Sequence, residues 1–277
     1  MKDTIGVAGI QMDVRSGNDN SERMFQLIKR VAFNFPWVEL IIFSELCVYG
    51  DELKKAEPIP GPITGRLCAI AAKYGKWLIP GSLFENHKDK IYNTSIVISP
   101  DGKVIAKYRK IFPWRPIETN DRGRDFCIFD IPDLGRFGLA ICYDQWFPEV
   151  MRTLTWMGAE VIIHPTMTTT SDRAIELSLS QALAAFNQLY FVSINGVADG
   201  GNGRSIFVDP DGRVLQTSGE AEAVLTEIFD LGHVRRTREM GTLGLCHPLK
   251  ELQELPFDFP CYKDGLSKGQ FFKKKFK

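Results

Sequence analysis

The chain has 277 residues, of which 44% are hydrophobic and 25% charged, values typical of a globular protein with a sizeable core. Its 34 basic and 34 acidic side chains cancel, so no global field favours nucleic acid or an anionic membrane as a partner. No apolar stretch approaches the roughly 20 residues that span a bilayer, and the start lacks a signal-peptide pattern. We therefore expect a cytoplasmic protein without nucleic-acid or membrane partners.

The cysteines and histidines are scattered along the chain. The six cysteines form no CxxC pair, and the four histidines are isolated, whereas a zinc site needs clustered ligands. In a reducing compartment most of these thiols should be small hydrophobic core residues. We therefore expect no bound metal. The cysteines are Cys47, Cys68, Cys127, Cys142, Cys246 and Cys261.

Short apolar runs alternate with segments of helical period through the first half of the chain. A first helix begins at Asn20 or Ser21, and a second spans Gly65–Tyr74 and is closed by Gly75. The predicted strands of this half are Thr4–Ile10, Leu40–Phe43, Trp77–Leu83, Thr94–Ser99 and Val104–Tyr108.

The same alternation continues in the second half. Pro148 stands where the first turn of a helix tolerates proline, and it opens a helix that runs towards Met157. A longer helix is predicted over Asp172–Leu189. The predicted strands of this half are Cys127–Ile131, Phe137–Cys142, Glu160–His164 and Tyr190–Ile194.

Two segments repeat one strand–turn–strand pattern. Ser95–Ile105 reads SIVISPDGKVI and Ser205–Leu215 reads SIFVDPDGRVL, with six of eleven positions identical. The shared Pro-Asp-Gly turn predicts a β-hairpin in each segment. Chance recurrence of a common hairpin is the simpler explanation, but each copy follows a similar order of strands and helices. We therefore predict an α/β fold of two related halves: a four-layer α-β-β-α sandwich of two mixed sheets with helices outside. No linker divides the chain, so residues 1–277 should form a single domain.

Three polar side chains stand beside strand-like runs. Cys142 ends the apolar run FGLAIC before the turn QWFPE, Glu45 closes LIIFSE, and Lys110 follows AKYR. Each residue has a simpler explanation when taken alone: a packed thiol, a capping carboxylate or a lysine that reaches solvent. Together they are the thiol, carboxylate and amine that acyl transfer through a thioester requires.

The context of these residues resembles one family. The motifs FSE at 43–45, YRK at 108–110 and ICYDQWFPE at 141–149 are similar to those of the nitrilase superfamily of carbon–nitrogen hydrolases, in its amidase-like branch. Further similarities are GIQMD at 9–13, PGS at 80–82, NTSIVISPDG at 93–102 and GRSIFVDPDG at 203–212. The resemblance covers almost the whole chain, and the segment around Cys142 is its most specific part.

The resemblance implies roles for these side chains. In such enzymes the glutamate, lysine and cysteine occur in this order, and a second glutamate often follows the lysine by eight residues, as Glu118 does here. Glu45 would then serve as the base, Cys142 as the nucleophile, and Lys110 with the backbone N–H of Tyr143 as oxyanion donors. The implied reaction hydrolyses a non-peptide linear amide to a carboxylic acid plus ammonia or an amine, without a cofactor.

Other functions remain open at this point. The same three residues would also suit a nitrilase, an N-carbamoyl-amine hydrolase or an N-acyltransferase. Gln145 and Trp146 stand where many relatives carry arginine, which argues against an N-carbamoyl amino acid as substrate, and Ser44 replaces a common proline. A non-catalytic binding module is disfavoured because none of the three residues is lost.

The loops around the thiol should form the substrate pocket for a small amide or nitrile. Aromatic side chains in these loops fit a hydrophobic core equally well. Arg173, in the first turn of a predicted helix, is expected to be solvated. The predicted pocket residues are Tyr49, Trp114, Trp146, Phe147, Met167 and Thr168.

The C-terminal tail, residues 245–277, is rich in Pro, Phe and Lys and poor in helical period. Because relatives commonly pair their subunits, the resemblance implies a homodimer or a higher homo-oligomer. We expect the tail to take part in these subunit contacts.

Overall fold

A computed structural model describes residues 3–255 and 257–263; the remainder of the predicted tail, 264–277, lies outside the described residues. The strands are β1 (Thr4–Gln11), β2 (Asp13–Val14), β3 (Val38–Phe43), β4 (Trp77–Ile79), β5 (Ser82–His87), β6 (Lys90–Ile98), β7 (Val104–Arg109), β8 (Cys127–Ile131), β9 (Gly135–Leu139), β10 (Val161–Thr166), β11 (Tyr190–Asn195), β12 (Val197–Ala198), β13 (Ile206–Val208), β14 (Val214–Thr217) and β15 (Ala223–Asp230). The helices are α1 (Ser21–Asn34), α2 (Pro62–Tyr74), α3 (Pro148–Trp156), α4 (Arg173–Asn187), α5 (Leu231–Met240), α6 (Pro248–Glu254) and α7 (Pro260–Lys263).

The strands form two large mixed sheets. Sheet I has the order β15-β1-β3-β4-β6-β5, with β7 paired to β6, and sheet II has the order β14-β13-β11-β10-β9-β8. In sheet I, β1, β3 and β4 run parallel, and in sheet II β9, β10 and β11 run parallel. Antiparallel strands complete each sheet at its edges. Each sheet therefore has a parallel centre, which in α/β proteins is covered on both faces.

Three hydrophobic clusters show how the layers stack. The central cluster lies between the sheets and combines Leu40 of β3 with Phe137 of β9. Alternate residues of β3 point the other way, so Ile41 packs with Met24 of α1. A third cluster joins the outer face of sheet II to α3 and α4, where Met151 belongs. The order of layers is α-β-β-α, which confirms the predicted fold.

The repeated segments form equivalent hairpins, one in each sheet. Strands β6 and β7 pair antiparallel in sheet I, as β13 and β14 do in sheet II. The turn glycines Gly102 and Gly212 both have positive φ, 75° and 82°, a conformation that glycine adopts at little cost. Gly102 approaches Cys68 of α2, and Gly212 approaches Ala185 of α4, so each turn rests on the outer helix of its own half.

Two predicted strand boundaries are wrong. The strand predicted over Trp77–Leu83 is two strands, because Pro80 lacks a backbone N–H and Gly81 turns the chain at φ 75°. The strand predicted to reach Cys142 ends at Leu139, and Cys142 begins a 3₁₀ turn instead. The apolar run in the sequence continues beyond the end of the strand because Ala140 and Ile141, which precede the 3₁₀ turn, are also buried.

The C-terminal part departs further from our predictions. They omit β15, which pairs antiparallel with β1 at the edge of sheet I, and helix α5, which follows it directly. The tail, although poor in helical period, contains two helices, α6 and α7. Both are short helices that begin at a proline, too short to show helical periodicity in the sequence. Within the described part of the chain, no helix has the length and apolarity to cross a membrane.

Candidate active site

Strand ends from both sheets bring the three predicted polar residues to one edge of the sandwich. Glu45 lies just beyond β3 and Lys110 directly after β7 in sheet I, whereas Cys142 follows β9 in sheet II. The backbone N–H of Glu45 donates to the carbonyl of Thr166, at the end of β10, over 3.2 Å. The carboxyl ends of parallel strands in the two sheets therefore meet here, as in other α/β sites.

Lys110 stands at the centre of the polar cluster. Its Nζ lies 2.9 Å from Oε1 of Glu45 and 2.5 Å from Oε1 of Glu118, and the residue is only 1% exposed. Asn93 donates from Nδ2 to Oε1 of Glu45 over 2.7 Å, which fixes the carboxylate further. Oε2 of Glu118 is buried without a hydrogen-bond partner among the described residues. The structure thus gathers Glu45, Lys110 and Glu118, as expected from the sequence.

The electrostatics of the cluster follow from burial. Burial raises the pKa of Glu45, against the lowering effect of Lys110, and the charge of Glu118 raises it further. Burial also raises the pKa of the Cys142 thiol, again against the effect of Lys110. For Lys110 burial works in the opposite direction, but Glu45, Cys142 and Glu118 together raise its pKa well above the ordinary value. The negative charge of Glu45 also raises the pKa of Cys142, so the two groups interact electrostatically. The resting site therefore holds a protonated thiol beside a charged amine.

The turn that carries Cys142 is held by a buried carboxylate. Asp144 accepts from the backbone N–H of Ile141 over 2.9 Å, from the Tyr108 hydroxyl over 2.7 Å and from the backbone N–H of Phe112 over 3.0 Å. Burial raises the pKa of Asp144 to about 6, although these hydrogen bonds favour its charged form. Asp144 thus ties the turn that carries Cys142 to the segment after β7. Cys142 itself has a φ of 46°, in the left-handed region.

Two further residues behind the turn were missed or misread in the sequence. His164 of β10 contacts the Cys142 carbonyl through Nε2 over 2.8 Å. Arg173 was expected to be solvated, which is wrong: the residue is 0% exposed and pairs with Glu176 over 3.1 Å. Sequence periodicity gave no signal for His164, because every residue of β10 is buried and inward and outward positions look alike.

A cleft of about 310 Å³, including its mouth, opens beside Cys142. Four of the six predicted pocket residues line it: Trp114, Trp146, Met167 and Thr168. The remaining lining residues are Cys142, Tyr143, Thr169, Thr170, Asp172 and Glu176.

The other two predicted pocket residues lie elsewhere. Tyr49 lines a separate depression with Leu46 and Phe84, since the segment after β3 turns away from the cleft. Phe147 stacks on Phe112 with ring centroids 3.7 Å apart, behind the wall of the cleft. Phe147 therefore supports the cleft from behind, and Tyr49 packs against the outer face of sheet I.

A larger cavity lies elsewhere in the described part of the chain. It is an open groove of about 1580 Å³, lined by basic side chains such as Lys90, Arg122 and Arg124. None of Glu45, Lys110 and Cys142 lines this groove, so it is not the place for the predicted chemistry. Among residues 3–255 and 257–263, no group of three or more His, Cys, Asp or Glu side chains is arranged to hold a metal ion.

A four-layer sandwich with a glutamate, a lysine and a cysteine at its strand ends is the arrangement expected of carbon–nitrogen hydrolases, and the comparisons agree. The family model described as Carbon-nitrogen hydrolase matches residues 4–239. The omega-amidase NIT2 of Homo sapiens is 33% identical over 253 residues, covering 84% of this chain and 91% of that protein. The formamidase of Bacillus cereus (strain B4264) is 33% identical over 196 residues, covering 66% of this chain and 58% of that protein.

A solved structure supports the same grouping. Saccharomyces cerevisiae Nit3, a member of branch 10 of the nitrilase superfamily, superposes with a TM-score of 0.79 at 28% identity, covering 86% of this chain and 94% of that one. The chain therefore belongs to the carbon–nitrogen hydrolase family, within the nitrilase superfamily. It is an amidase-type hydrolase that acts on carbon–nitrogen bonds other than peptide bonds.

Proposed function

We propose that the protein hydrolyses a small linear amide through a thioester on Cys142. The observation that carries the proposal is the contact network of Lys110, which joins Glu45 and Glu118 and interacts electrostatically with the Cys142 thiol. The relatives named omega-amidase and formamidase support amide hydrolysis as the overall reaction.

In the first half of the reaction, Glu45 accepts the thiol proton as the Cys142 sulfur attacks the amide carbonyl carbon. The carbonyl oxygen becomes an oxyanion, which Lys110 Nζ and the Tyr143 N–H stabilise; one such donor is worth about 3 kcal/mol in the transition state. The carbon–nitrogen bond then breaks, and protonated Glu45 returns its proton to the leaving nitrogen. The products of this half are ammonia or an amine and the Cys142 thioester.

In the second half, water attacks the thioester carbonyl and gives one proton to Glu45. The carbon–sulfur bond breaks, the carboxylic acid leaves, and the Cys142 sulfur regains a proton from Glu45. Glu118 has a free Oε2, which can accept an N–H of the substrate amide and orient it. Every proton that is moved thus passes through Glu45, a role suited to a carboxylate with a raised pKa.

The cleft favours a substrate without a negative charge. Asp172 and Glu176 line its wall, and the guanidinium of Arg173 is engaged with Glu176, Ser193 and the Arg204 carbonyl. A short aliphatic amide should therefore be hydrolysed with a kcat/KM about tenfold above that of its analogue with a terminal carboxylate. Asp172→Asn should bring the kcat/KM values of the two amides closer together. A higher kcat/KM for the amide with the carboxylate would contradict the assignment of substrate class.

The thioester can be tested directly. We would incubate the protein with short amides, measure released ammonia, and search for an acyl adduct by mass spectrometry. Rapid quenching of the wild-type protein during turnover should capture the adduct on Cys142. Glu45→Gln, which lacks the base for both half-reactions, and Cys142→Ala should form none. Cys246→Ser, which changes an exposed thiol, serves as the matched control and should retain full activity.

The outcome also separates the alternative reactions. Ammonia release without an adduct on Cys142 would remove the thioester from the proposal. Transfer of the acyl group to an added amine in preference to water would identify an N-acyltransferase. Hydrolysis of nitriles or carbamoyl amines, with amides inert, would replace the amide by one of those substrates.

We also propose that the protein acts as a homodimer or higher oligomer in which the tail joins subunits. The described part of the tail exposes several large apolar side chains, a surface that a subunit contact would cover. Deletion of residues 248–277 should lower the sedimentation coefficient of the assembly, and an unchanged coefficient would refute the role of the tail. Cytoplasmic location stays a prediction. The exposed apolar side chains are Leu245, Leu252, Leu255, Phe257, Phe259 and Tyr262.

A further inference from the structure

A buried series of hydrogen bonds runs from α4 to the backbone of the nucleophile. Arg173 Nη1 lies 3.1 Å from Ser193 Oγ, Ser193 Oγ lies 3.1 Å from His164 Nδ1, and His164 Nε2 lies 2.8 Å from the Cys142 carbonyl oxygen. All three side chains are fully buried. His164 and Ser193 are register partners on the adjacent parallel strands β10 and β11, so the sheet itself sets their separation. We call this series the Arg173–Ser193–His164 path.

Each hydrogen bond in the path can have only one donor and one acceptor. A carbonyl oxygen only accepts, so His164 Nε2 must carry the proton that it shares with Cys142. Burial lowers the pKa of His164 to about 3, so the ring is neutral and its Nδ1 is an acceptor. Ser193 must then donate its hydroxyl proton to Nδ1, while its oxygen accepts from Arg173, which only donates. Arg173 therefore fixes the tautomer of His164 through Ser193.

The tautomer matters because it controls the orientation of one peptide group. In a trans peptide the C=O and the following N–H point in opposite directions. When His164 holds the Cys142 carbonyl, the Tyr143 N–H is directed away from β10. Among the hydrogen bonds of the described residues, the Tyr143 N–H has no acceptor within the protein. Cys142 also has a φ of 46°, a conformation that persists only when surrounding groups hold it.

We propose that Arg173, Ser193 and His164 are positioning residues that orient the Cys142–Tyr143 peptide so that the Tyr143 N–H meets the oxyanion. This inference rests on the proposed thioester mechanism and adds to it the element that aims the second oxyanion donor. None of the three side chains lines the cleft. Their effect passes through the backbone.

The test separates oxyanion stabilisation from the reactivity of the thiol. His164→Leu removes the group that donates to the Cys142 carbonyl. Ser193→Ala removes the hydroxyl that fixes the tautomer of His164. His164→Gln is the conservative variant, because its amide retains a donor and an acceptor. Amide hydrolysis forms an oxyanion, whereas methyl methanethiosulfonate transfers a methylthio group to sulfur and forms none. Both rates would be measured for each variant, with thermal melting to confirm folding.

We expect kcat to fall about 100-fold in His164→Leu and about tenfold in Ser193→Ala, with KM and the rate of thiol modification within a factor of three of the wild type. His164→Gln should recover most of kcat. If His164→Leu does not fold, Ser193→Ala carries the test. If the rates of hydrolysis and thiol modification fall equally, the whole turn that carries Cys142 has moved. If the rate of hydrolysis is unchanged, the path does not affect catalysis. Either result would overturn the inference. If no acyl adduct forms on Cys142 of the wild-type protein, the proposed thioester mechanism itself is refuted.

Discussion

In the proposed mechanism, Glu45 sets the acidic side of the pH profile. Its pKa is raised above the ordinary value of 4.5 because the carboxylate is buried, and Glu118 contributes in the same direction. As the pH falls through this raised value, Glu45 takes a proton from solvent and can no longer accept one from Cys142. We therefore predict that kcat/KM falls on the acidic side with a midpoint above 4.5.

The variant Glu118→Gln refines this prediction. It removes a negative charge beside Glu45, so the acidic midpoint should move to lower pH, whatever happens to the absolute rate. The measurement is kcat/KM for a short amide between pH 4 and pH 8. A wild-type midpoint at or below 4.5, or a shift to higher pH in the variant, would contradict the assignment of Glu45 as the base.

Some residues of the candidate site could be predicted from the sequence and others could not. Glu45, Lys110 and Cys142 were predictable because each follows a strand-like run in a family motif. His164 and Arg173 were not, because their importance depends on three-dimensional burial. A histidine in an apolar strand and an arginine in a first helical turn have common structural explanations. Their connection depends on Ser193, the register partner of His164 on β11, whose hydroxyl contacts both side chains.

The break between β4 and β5 is the element that supports Glu45. Gly81 has a φ of 75°, and a Cβ at this position would overlap the carbonyl oxygen of Ser44. The Ser82 hydroxyl accepts from the backbone N–H of Leu46 over 3.0 Å, so the two segments hold each other. The sequence pattern concealed this break because both halves of the run are apolar, and only the Pro80-Gly81 pair signals it.

We predict that Gly81→Ala destabilises the protein by about 2–5 kcal/mol, since it combines strain at positive φ with a backbone clash. The displaced Ser44 should also move Glu45, so kcat should fall in the folded fraction. Chemical denaturation and a rate assay below the transition would measure both effects. Gly65→Ala is the control: this glycine lies in α2 with open space around it, and the change should stabilise by about 0.5–1 kcal/mol.

At the scale of the molecule, Gln11 joins the two sheets. From β1 in sheet I its fully buried side chain donates to the carbonyls of Gly219 and Ala221, over 2.9 Å and 2.6 Å. Its Oε1 accepts from the Ser205 N–H, the Ser205 hydroxyl and the Ser218 hydroxyl. One amide thus satisfies both ends of the hairpin of sheet II.

We predict that Gln11→Glu destabilises the fold by about 3 kcal/mol or more at pH 8, because a buried carboxylate would face two carbonyl oxygens. The folded-state pKa of the introduced carboxyl would be raised, so stability should return as the pH falls and the protonated group regains one donor. Denaturation at pH 5 and pH 8 would measure this. Gln11→Leu should lose the same amount of stability at pH 5 and at pH 8. If the stability of Gln11→Glu does not depend on pH, the proposed effect of a buried carboxylate is wrong.

The overall architecture was the most predictable feature. The hairpins at Ser95–Ile105 and Ser205–Leu215 indicated two related halves, and each hairpin lies in its own sheet. The edge strand β15 was not predictable, because five of its eight residues are only partly buried and their pattern does not alternate clearly. Its place is decided by β1, whose free edge it covers along eight paired positions.

The raised pKa of Cys142 has a consequence for the survival of the enzyme under oxidative stress. Peroxide attacks thiolates rather than thiols, and a sulfur that keeps its proton until substrate arrives offers little of the vulnerable form. Treatment with hydrogen peroxide should therefore modify the exposed Cys246 and Cys261 while most activity persists. Peptide mapping beside residual turnover would measure this, and early sulfinic acid at Cys142 would contradict it. In the proposed mechanism, the raised pKa that makes the Cys142 sulfur dependent on Glu45 would thus also limit its oxidation between turnovers.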